Sequence, residues 1–319
     1  MRAVVFDEYG DPSVLHVQDR PDPVPGPGEA LVLVGASGVN YMDVYQRAGV
    51  YQVPLPAALG SEGAGTVLAV GDGVAGLAAG DRVAWTNVPG SHAEQALVPA
   101  DRLVPVPAAI TTEQAAAVLL QGLTAHYLTH DSFAVRPGST VLVHAAAGGM
   151  GQLLTRIVTH LGGRVIATAS TARKRDLAEA AGAVRAVEYA AALDAVRDLT
   201  GGAGVDAVYD GVGADTFDTS LQALRPRGTL VLFGAASGKV PPFDPRRLMA
   251  GSYFLTRPTL THFVATRAEL LDRAETLFGW VAEGVVDATA TGRYPLDAVA
   301  DAYAALEGRH TTGKLLIVP

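Results

Sequence analysis

The segment Val141-Leu142-Val143-His144-Ala145-Ala146-Ala147-Gly148-Gly149-Met150-Gly151 decides how this chain is read. An apolar run over Val141 to His144 predicts a buried strand. The small residues that follow predict a tight turn. From Gln152 to Leu161 a helix is expected, with Leu153, Leu154, Ile157, Val158 and Leu161 on one face. Ala146, Gly148 and Gly151 take the three spaced positions of G-x-G-x-x-G, with Ala for the first Gly. Gly148 lets backbone approach a pyrophosphate, and Gly151 lets the helix pack on the strand. The free N–H groups and dipole of the helix start then favour the anion. The strand before the turn and the helix after it make this a dinucleotide-binding turn.

Outward from the turn, strand and helix patterns alternate. Strands are predicted over Arg164–Ala169, Val184–Glu188, Val205–Asp210 and Thr229–Phe233. Helices are predicted over Arg173–Ala181, stopped by Gly182, and around Ala191–Leu199 and Thr216–Leu224. Serial βα units imply a parallel sheet covered by helices. Thr111 and Gln114 have capping-box spacing at the entry to this block, and Thr266 with Glu269 opens a long amphipathic helix beyond it. A second helix is expected over about Leu296–Leu306, with Gly308 as its stop, and a strand over Leu315–Val318. The first hundred residues carry short strands, at Val4–Phe6, Leu31–Val34, Gly65–Val70 and Arg82–Trp85. Glycine- and proline-rich turns separate them, which suggests a barrel-like β domain.

Composition bounds the function. The 319 residues allow roughly two domains. A formal net charge of −8 argues against a binder that neutralises nucleic-acid phosphates. With 49% hydrophobic and 18% charged residues the chain can bury a large core. Cysteine is absent, which excludes disulfides, thiolate-bound zinc and thiol nucleophiles. Met1 to Glu8 holds two acids where a secretory leader needs an apolar stretch, and no apolar run approaches membrane-spanning length. A cytoplasmic location is expected.

Cofactor choice is read at the end of the second strand of such a block. An NAD site places an acid there for the ribose hydroxyl. Here Ala167-Thr168-Ala169-Ser170-Thr171-Ala172 runs into Arg173, Lys174 and Arg175, with no acid before Asp176. Three cations suit a 2′-phosphate and oppose the dipole of the helix they begin, so NADPH is the expected cofactor. The chain has only three lysines, which makes the position of each informative.

With these residues in place the chain resembles the medium-chain dehydrogenase/reductases. More narrowly, it resembles the zinc-free NADPH:quinone oxidoreductases of the zeta-crystallin type. The motifs are Gly38-Val39-Asn40-Tyr41-Met42-Asp43, Gly60-Ser61-Glu62-Gly63-Ala64-Gly65, Gly80-Asp81-Arg82-Val83, Gln121-Gly122-Leu123-Thr124-Ala125, Ala145 to Gly151, Phe233-Gly234 and Thr256-Arg257-Pro258. The resemblance implies an α/β protein with a Rossmann-type nucleotide domain over 123–261. A β-rich, GroES-like catalytic domain over 1–122 and 262–319 completes it, with the active site in the cleft between. Zinc-dependent relatives carry Cys where this chain has Asn40 and His where it has Ser61, so no catalytic zinc is expected. His126 and His130 could share a helix face, but two donors make a poor zinc site.

By the same resemblance Asn40, Tyr45 and Tyr51 line the substrate site, with Asn40 and the tyrosine hydroxyls as donors to a quinone oxygen. Asn40, Thr124 and Arg257 reach the cofactor. Ala147, Gly148, Gly149, Met150 and Gly151 hold the pyrophosphate; Ser170, Lys174 and Tyr189 take the 2′-phosphate and adenine side; Phe233, Gly234 and Ser237 lie near the nicotinamide. The implied activity is NADPH-dependent quinone reduction. Two rivals are an alkenal or enone double-bond reductase on the same fold, and a non-enzymatic nucleotide- or RNA-binding or structural protein. A homodimer is expected, with Tyr253–Thr256 as a candidate sheet edge.

Overall fold

The computed structural model describes residues 1–308 and 311–319. Two units divide the chain: Met1–Leu123 with Val264–Pro319, and Thr124–Phe263. In chain order the strands are β1 (Arg2–Phe6), β2 (His16–Asp19), β3 (Glu29–Gly38), β4 (Ala57–Ala58), β5 (Glu62–Val70), β6 (Arg82–Thr86), β7 (Gln95–Pro99), β8 (Val104–Pro105), β9 (Thr140–Val143), β10 (Arg164–Thr168), β11 (Arg185–Val187), β12 (Val205–Asp210), β13 (Leu224–Leu232), β14 (Phe254–Thr256), β15 (Ala290–Tyr294) and β16 (Lys314–Ile317). The α-helices are α1 (Tyr41–Arg47), α2 (Thr112–Tyr127), α3 (Gly149–His160), α4 (Ala172–Ala180), α5 (Ala192–Thr200), α6 (Phe217–Ala223), α7 (Arg267–Ala282) and α8 (Val299–Glu307).

Alternation builds the first unit. In β3, Ala30, Val32, Val34 and Ala36 turn inward while Leu33 faces out. The larger sheet runs β15-β16-β3-β5-β6-β8, with β7 also on β3, and a smaller one runs β2-β1-β4. Val32, Val67, Val83, Trp85 and Val98 form one core. Val4, Phe6, Leu59, Tyr303 and Ile317 belong to a second, which joins the first strand to the last helix and strand. Each such side chain contributes about 1.5–3 kcal/mol by leaving water.

The second unit is a six-stranded parallel sheet in the order β11-β10-β9-β12-β13-β14. Its inner strands are apolar without alternation, because both faces are covered; Val141, Leu142 and Val143 are fully buried. The chain works outward from β9 to β11, then returns to the other side of β9 with β12. Ligands of doubly wound sheets sit beyond the strand ends at that switch.

Several boundary signals act as expected. Thr111 Oγ1 accepts from the Gln114 N–H (3.2 Å) and Gln114 Oε1 from the Thr111 N–H (2.9 Å). Thr266 and Glu269 make the same reciprocal pair at α7. Gly182 follows α4 with φ +112°, a value that favours glycine. Gly308, by contrast, closes α8 in a right-handed conformation. β13 starts at Leu224, ahead of the expected Thr229, because Val205 pairs with Leu224 across an irregular register. Among the described residues no helix is long and apolar enough to cross a membrane.

Candidate active site

The turn after β9 is shaped for an anion. Ala145 adopts φ +51°, the left-handed conformation, and the Gly148 N–H donates back to its carbonyl (3.0 Å). Gly148 caps α3 and has no side chain to occupy the first-turn N–H groups of Gly149, Met150 and Gly151. A Cβ on Gly151 would lie 2.5 Å from the Ala146 Cα, so only glycine lets α3 start this close to the turn. Ala147 is buried, whereas Gly148, Gly149 and Met150 remain half-exposed.

Ser170 is exposed at the end of β10. Thr171 caps α4 by accepting from the Lys174 N–H (3.3 Å), which places Lys174 in the first helical turn, half-buried. Arg173 is exposed beside it, and Arg175 is paired with Glu188 (3.0 Å). Tyr189, next to Glu188, lies nearly parallel to the His144 imidazole, with centroids 6.0 Å apart.

The loops after β12 and β13 interlock. A Cβ on Gly234 would lie 2.8 Å from the Gly211 Cα, so this close backbone approach needs glycine at 234, whereas a Cβ on Gly211 would meet the Phe233 ring. Ser237 Oγ donates to the Val212 carbonyl (2.9 Å) and accepts from the Asp215 N–H (3.0 Å). Phe233 donates its N–H to the Asp210 carbonyl (2.9 Å). Thr124 is half-buried on α2, and Arg257 is exposed just past β14. The Arg257 charge acts on Tyr127, whose hydroxyl burial pushes above the usual phenol range. The Tyr127 ring stacks on Phe263 at 4.2 Å.

In the first unit Asn40 is buried at the start of α1. Its Nδ2 donates to the Gly38 carbonyl (3.1 Å) and to Glu62 Oε2 (3.0 Å). Its Oδ1 accepts from Lys314 Nζ (2.7 Å). An ammonium only donates and a carboxylate only accepts, so these partners fix which amide atom is which. Both amide protons are taken within the protein, and donation to a quinone would require breaking one of these bonds. Lys314 also pairs with Glu62 Oε2 at 2.6 Å; their side chains are 5% and 0% exposed. Glu62 Oε1 accepts from the Leu120 N–H of α2 (2.6 Å). A Cβ on Gly38 would lie 2.8 Å from the lysine nitrogen.

A second buried chain continues from Asn40. Asp43 accepts from the Asn40 N–H (3.1 Å), from Tyr303 Oη (2.8 Å) and from Ser61 Oγ. Tyr303 uses its one proton on Asp43, so His92 Nε2 donates to Tyr303 (2.8 Å) and His92 Nδ1 accepts from Ser37 (2.6 Å). Burial raises the Asp43 carboxyl to about 6, against the lowering by Ser61 and Tyr303. Burial also lowers His92 to about 3, so the ring is neutral. Reading the sequence does not find Lys314, Tyr303 or His92. The scarcity of lysine is the one usable signal, since Lys314 opens an otherwise apolar strand.

Beyond the α1 start three tyrosines gather. Tyr45 lies 6.1 Å from Tyr41 and meets Tyr51 edge-on at 5.5 Å, and Tyr51 is 41% exposed. Tyr45 is half-buried, and its carbonyl accepts from the Tyr51 N–H (3.0 Å).

Zinc does not fit these residues. Asn40 and Ser61 offer a neutral amide and a hydroxyl, both already bonded, and a buried ammonium stands against Asn40. His126 and His130 stack face to face at 4.3 Å, and His130 Nδ1 bonds the His126 carbonyl (2.9 Å).

A parallel sheet in this order, its glycine turn, and a strand-rich unit formed from both ends of the sequence define the medium-chain dehydrogenase/reductase class. The family model described as alcohol dehydrogenase GroES-like domain matches residues 26–108, and that described as zinc-binding dehydrogenase matches 149–290. A quinone oxidoreductase of Pseudomonas aeruginosa is 41% identical, covering 100% of this chain and 99% of its own. The Escherichia coli quinone oxidoreductase complexed with NADPH superposes with TM-score 0.98 at 37% identity, covering 100% of both chains. A mycobacterial protein complexed with NADPH does so with TM-score 0.97 at 48% identity, again over 100% of both. The chain belongs to the quinone oxidoreductase family.

Proposed function

We infer that this chain is an NADPH:quinone oxidoreductase that works without zinc. The observation that carries the reading is a glycine turn that caps α3 with no side chain, followed, one strand later, by Lys174 in a first helical turn that holds no acid, in a chain of this family. These residues fit NADPH. The N–H groups of Gly149 to Gly151, with Ala147 and Gly148 shaping the turn, would hold the pyrophosphate. Ser170 and Lys174 would take the 2′-phosphate, and Tyr189 the adenine side. Phe233, Gly234, Ser237, Thr124 and Arg257 would serve the nicotinamide end.

When bound, NADPH supplies the hydride. The residues have to orient the acceptor and favour charge on its oxygen. A quinone is already electrophilic, so it needs no Lewis acid of the kind zinc provides. Tyr45 and Tyr51 present an edge-on aromatic pair against which a flat ring can pack, with the Tyr51 hydroxyl as a donor. Asn40, held by Lys314 and Glu62, fixes the start of the helix that carries Tyr45. One hydride and one proton convert the quinone to the hydroquinone.

The edge strand β14, with Phe254 62% exposed, and the turn before it, with Met249 78% exposed, support a homodimer formed by edge pairing. Light scattering at the monomer mass would refute it. An NADPH-consuming reaction supports the cytoplasm as the compartment.

The test is the initial rate of NADPH oxidation with a simple quinone, blanked without protein and without quinone. A quinone-dependent rate is expected. A rate with an enone and none with a quinone would replace this reading with the double-bond reductase.

A further inference from the structure

A continuous line of buried side chains crosses the carboxyl ends of three strands in the second unit. Thr168 ends β10, His144 follows β9, Ser220 lies on α6, and Asp210 ends β12. All four are buried. Ser220 Oγ lies 2.7 Å from Asp210 Oδ2, and a carboxylate accepts, so the serine proton goes there. The 3.1 Å bond between Ser220 Oγ and His144 Nε2 must therefore be donated by the imidazole. His144 Nδ1 is left as an acceptor, and Thr168 Oγ1 donates to it (2.9 Å). Burial holds His144 below the usual imidazole range, which agrees with a neutral ring that donates at one nitrogen and accepts at the other. At the far end Asp210 Oδ1 accepts from the N–H groups of Val212 and Gly213 (2.9 and 3.0 Å), and Thr216 Oγ1 donates to the carboxylate (2.8 Å). The polar hydrogens of Thr168, His144 and Ser220 each have one destination in the line, so the tautomer and the direction of these bonds are fixed together.

The line joins the loops that the cofactor reading divides. Thr168 leads to Ser170 and Lys174, His144 to the glycine turn, and Asp210 to the loop interlocked with Gly234 and Ser237. We propose that Thr168, His144, Ser220 and Asp210 act as one positioning relay, which holds the glycine turn at the height the pyrophosphate needs and in register with the loop at the nicotinamide end. None of the four is assigned contact with the cofactor; they act through the loops they hold. The proposal rests on the NADPH reading above.

The test measures NADPH and NADH dissociation constants by fluorescence for Ser220→Ala, Thr168→Val and Thr168→Ser, with thermal unfolding alongside. Ser220→Ala cuts the line between histidine and carboxylate. Thr168→Val removes a hydroxyl at nearly constant shape, and Thr168→Ser keeps it. Thr168→Val is expected to weaken NADPH and NADH by the same factor, about 3- to 10-fold, as one neutral hydrogen bond implies, and Ser220→Ala, which loses a bond to a carboxylate, to weaken both equally and by at least as much. Equal factors follow because both cofactors carry the pyrophosphate. Thr168→Ser is expected within twofold of the unaltered protein. If Ser220→Ala does not fold, the two Thr168 variants decide. Folded variants that lose melting temperature but bind both cofactors as before would overturn the relay. Failure of the unaltered protein to bind NADPH would instead overturn the functional reading, and the relay with it.

Discussion

Lys314→Met should be among the most damaging single changes outside the cofactor loops. Methionine keeps the length of the side chain and loses the charge. Glu62 would keep the Leu120 N–H (2.6 Å) and Asn40 Nδ2 (3.0 Å), but lose its only described counter-charge, at a place where its side chain has no exposure. Breaking a buried pair by removing one partner costs about 3–5 kcal/mol, because the remaining charge stays desolvated. For a unit of this size each kcal/mol moves the melting temperature by about 2–4 °C. A fall of roughly 6–20 °C is therefore expected. Replacing both partners, as Lys314→Met with Glu62→Gln, removes the stranded charge. The double variant should be more stable than the sum of the two single losses allows. Urea and thermal unfolding of the four proteins measure this. A Lys314→Met loss below about 1 kcal/mol, or strict additivity, would show that the pair is not coupled and the argument from burial is wrong.

Three further outcomes follow from the same geometry. Asp43 has a folded-state carboxyl near 6, against 3.8 for an unperturbed aspartate. A raised value means stability that is present below the unfolded pKa and lost as pH rises through the folded one, worth about 3 kcal/mol between pH 4 and 7. His92, lowered from 6.5 to about 3, contributes with the opposite sign. The Asp43 contribution therefore has to be read as the difference between the unaltered protein and Asp43→Asn, whose stability should lack that loss; parallel pH curves would refute it. Lys174→Ala should weaken NADPH by roughly 10- to 100-fold, as loss of a charge-assisted bond implies, and leave NADH nearly unchanged; equal losses by fluorescence titration would remove Lys174 from the phosphate site. Gly151→Ala should unseat the start of α3, since its Cβ meets the Ala146 Cα at 2.5 Å, whereas Gly148→Ala, whose nearest neighbour is at 3.3 Å, should be milder. Equal NADPH affinities of the two variants would refute the difference.

Legibility in the sequence follows distance along the chain. The strand, turn and helix around Gly148 and Gly151 are consecutive, so apolar period and glycine spacing are enough to read them. The same holds for the Thr111–Gln114 and Thr266–Glu269 pairs, three residues apart. The polar centre of the first unit is illegible. Lys314 meets Glu62 across 252 residues and Asn40 across 274, and Tyr303 meets Asp43 across 260. No local period reports such meetings. The motif position of Asn40 suggests a donor to substrate, and only the folded chain reveals that Gly38 and Glu62 take its protons. The early start of β13 is equally hidden, because Arg225, Pro226 and Gly228 have no strand signal of their own.

The lateness of β16 in the chain sets an order on synthesis. The second unit is continuous from Thr124 to Phe263, so every strand of its sheet has been synthesised before Val264 is added. The first unit has no such independence. β16 bridges β15 and β3, and its first residue is Lys314. Asn40 and Glu62 are made 274 and 252 residues ahead of their cation. During that interval the nascent first unit lacks the partner of β3 at Ser37 and Gly38 and has an acidic interior without its counter-charge. Chaperones and proteases recognise such features. A chain truncated before Lys314 would thus keep every strand of the second unit's sheet and lose the strand and the cation that complete the first.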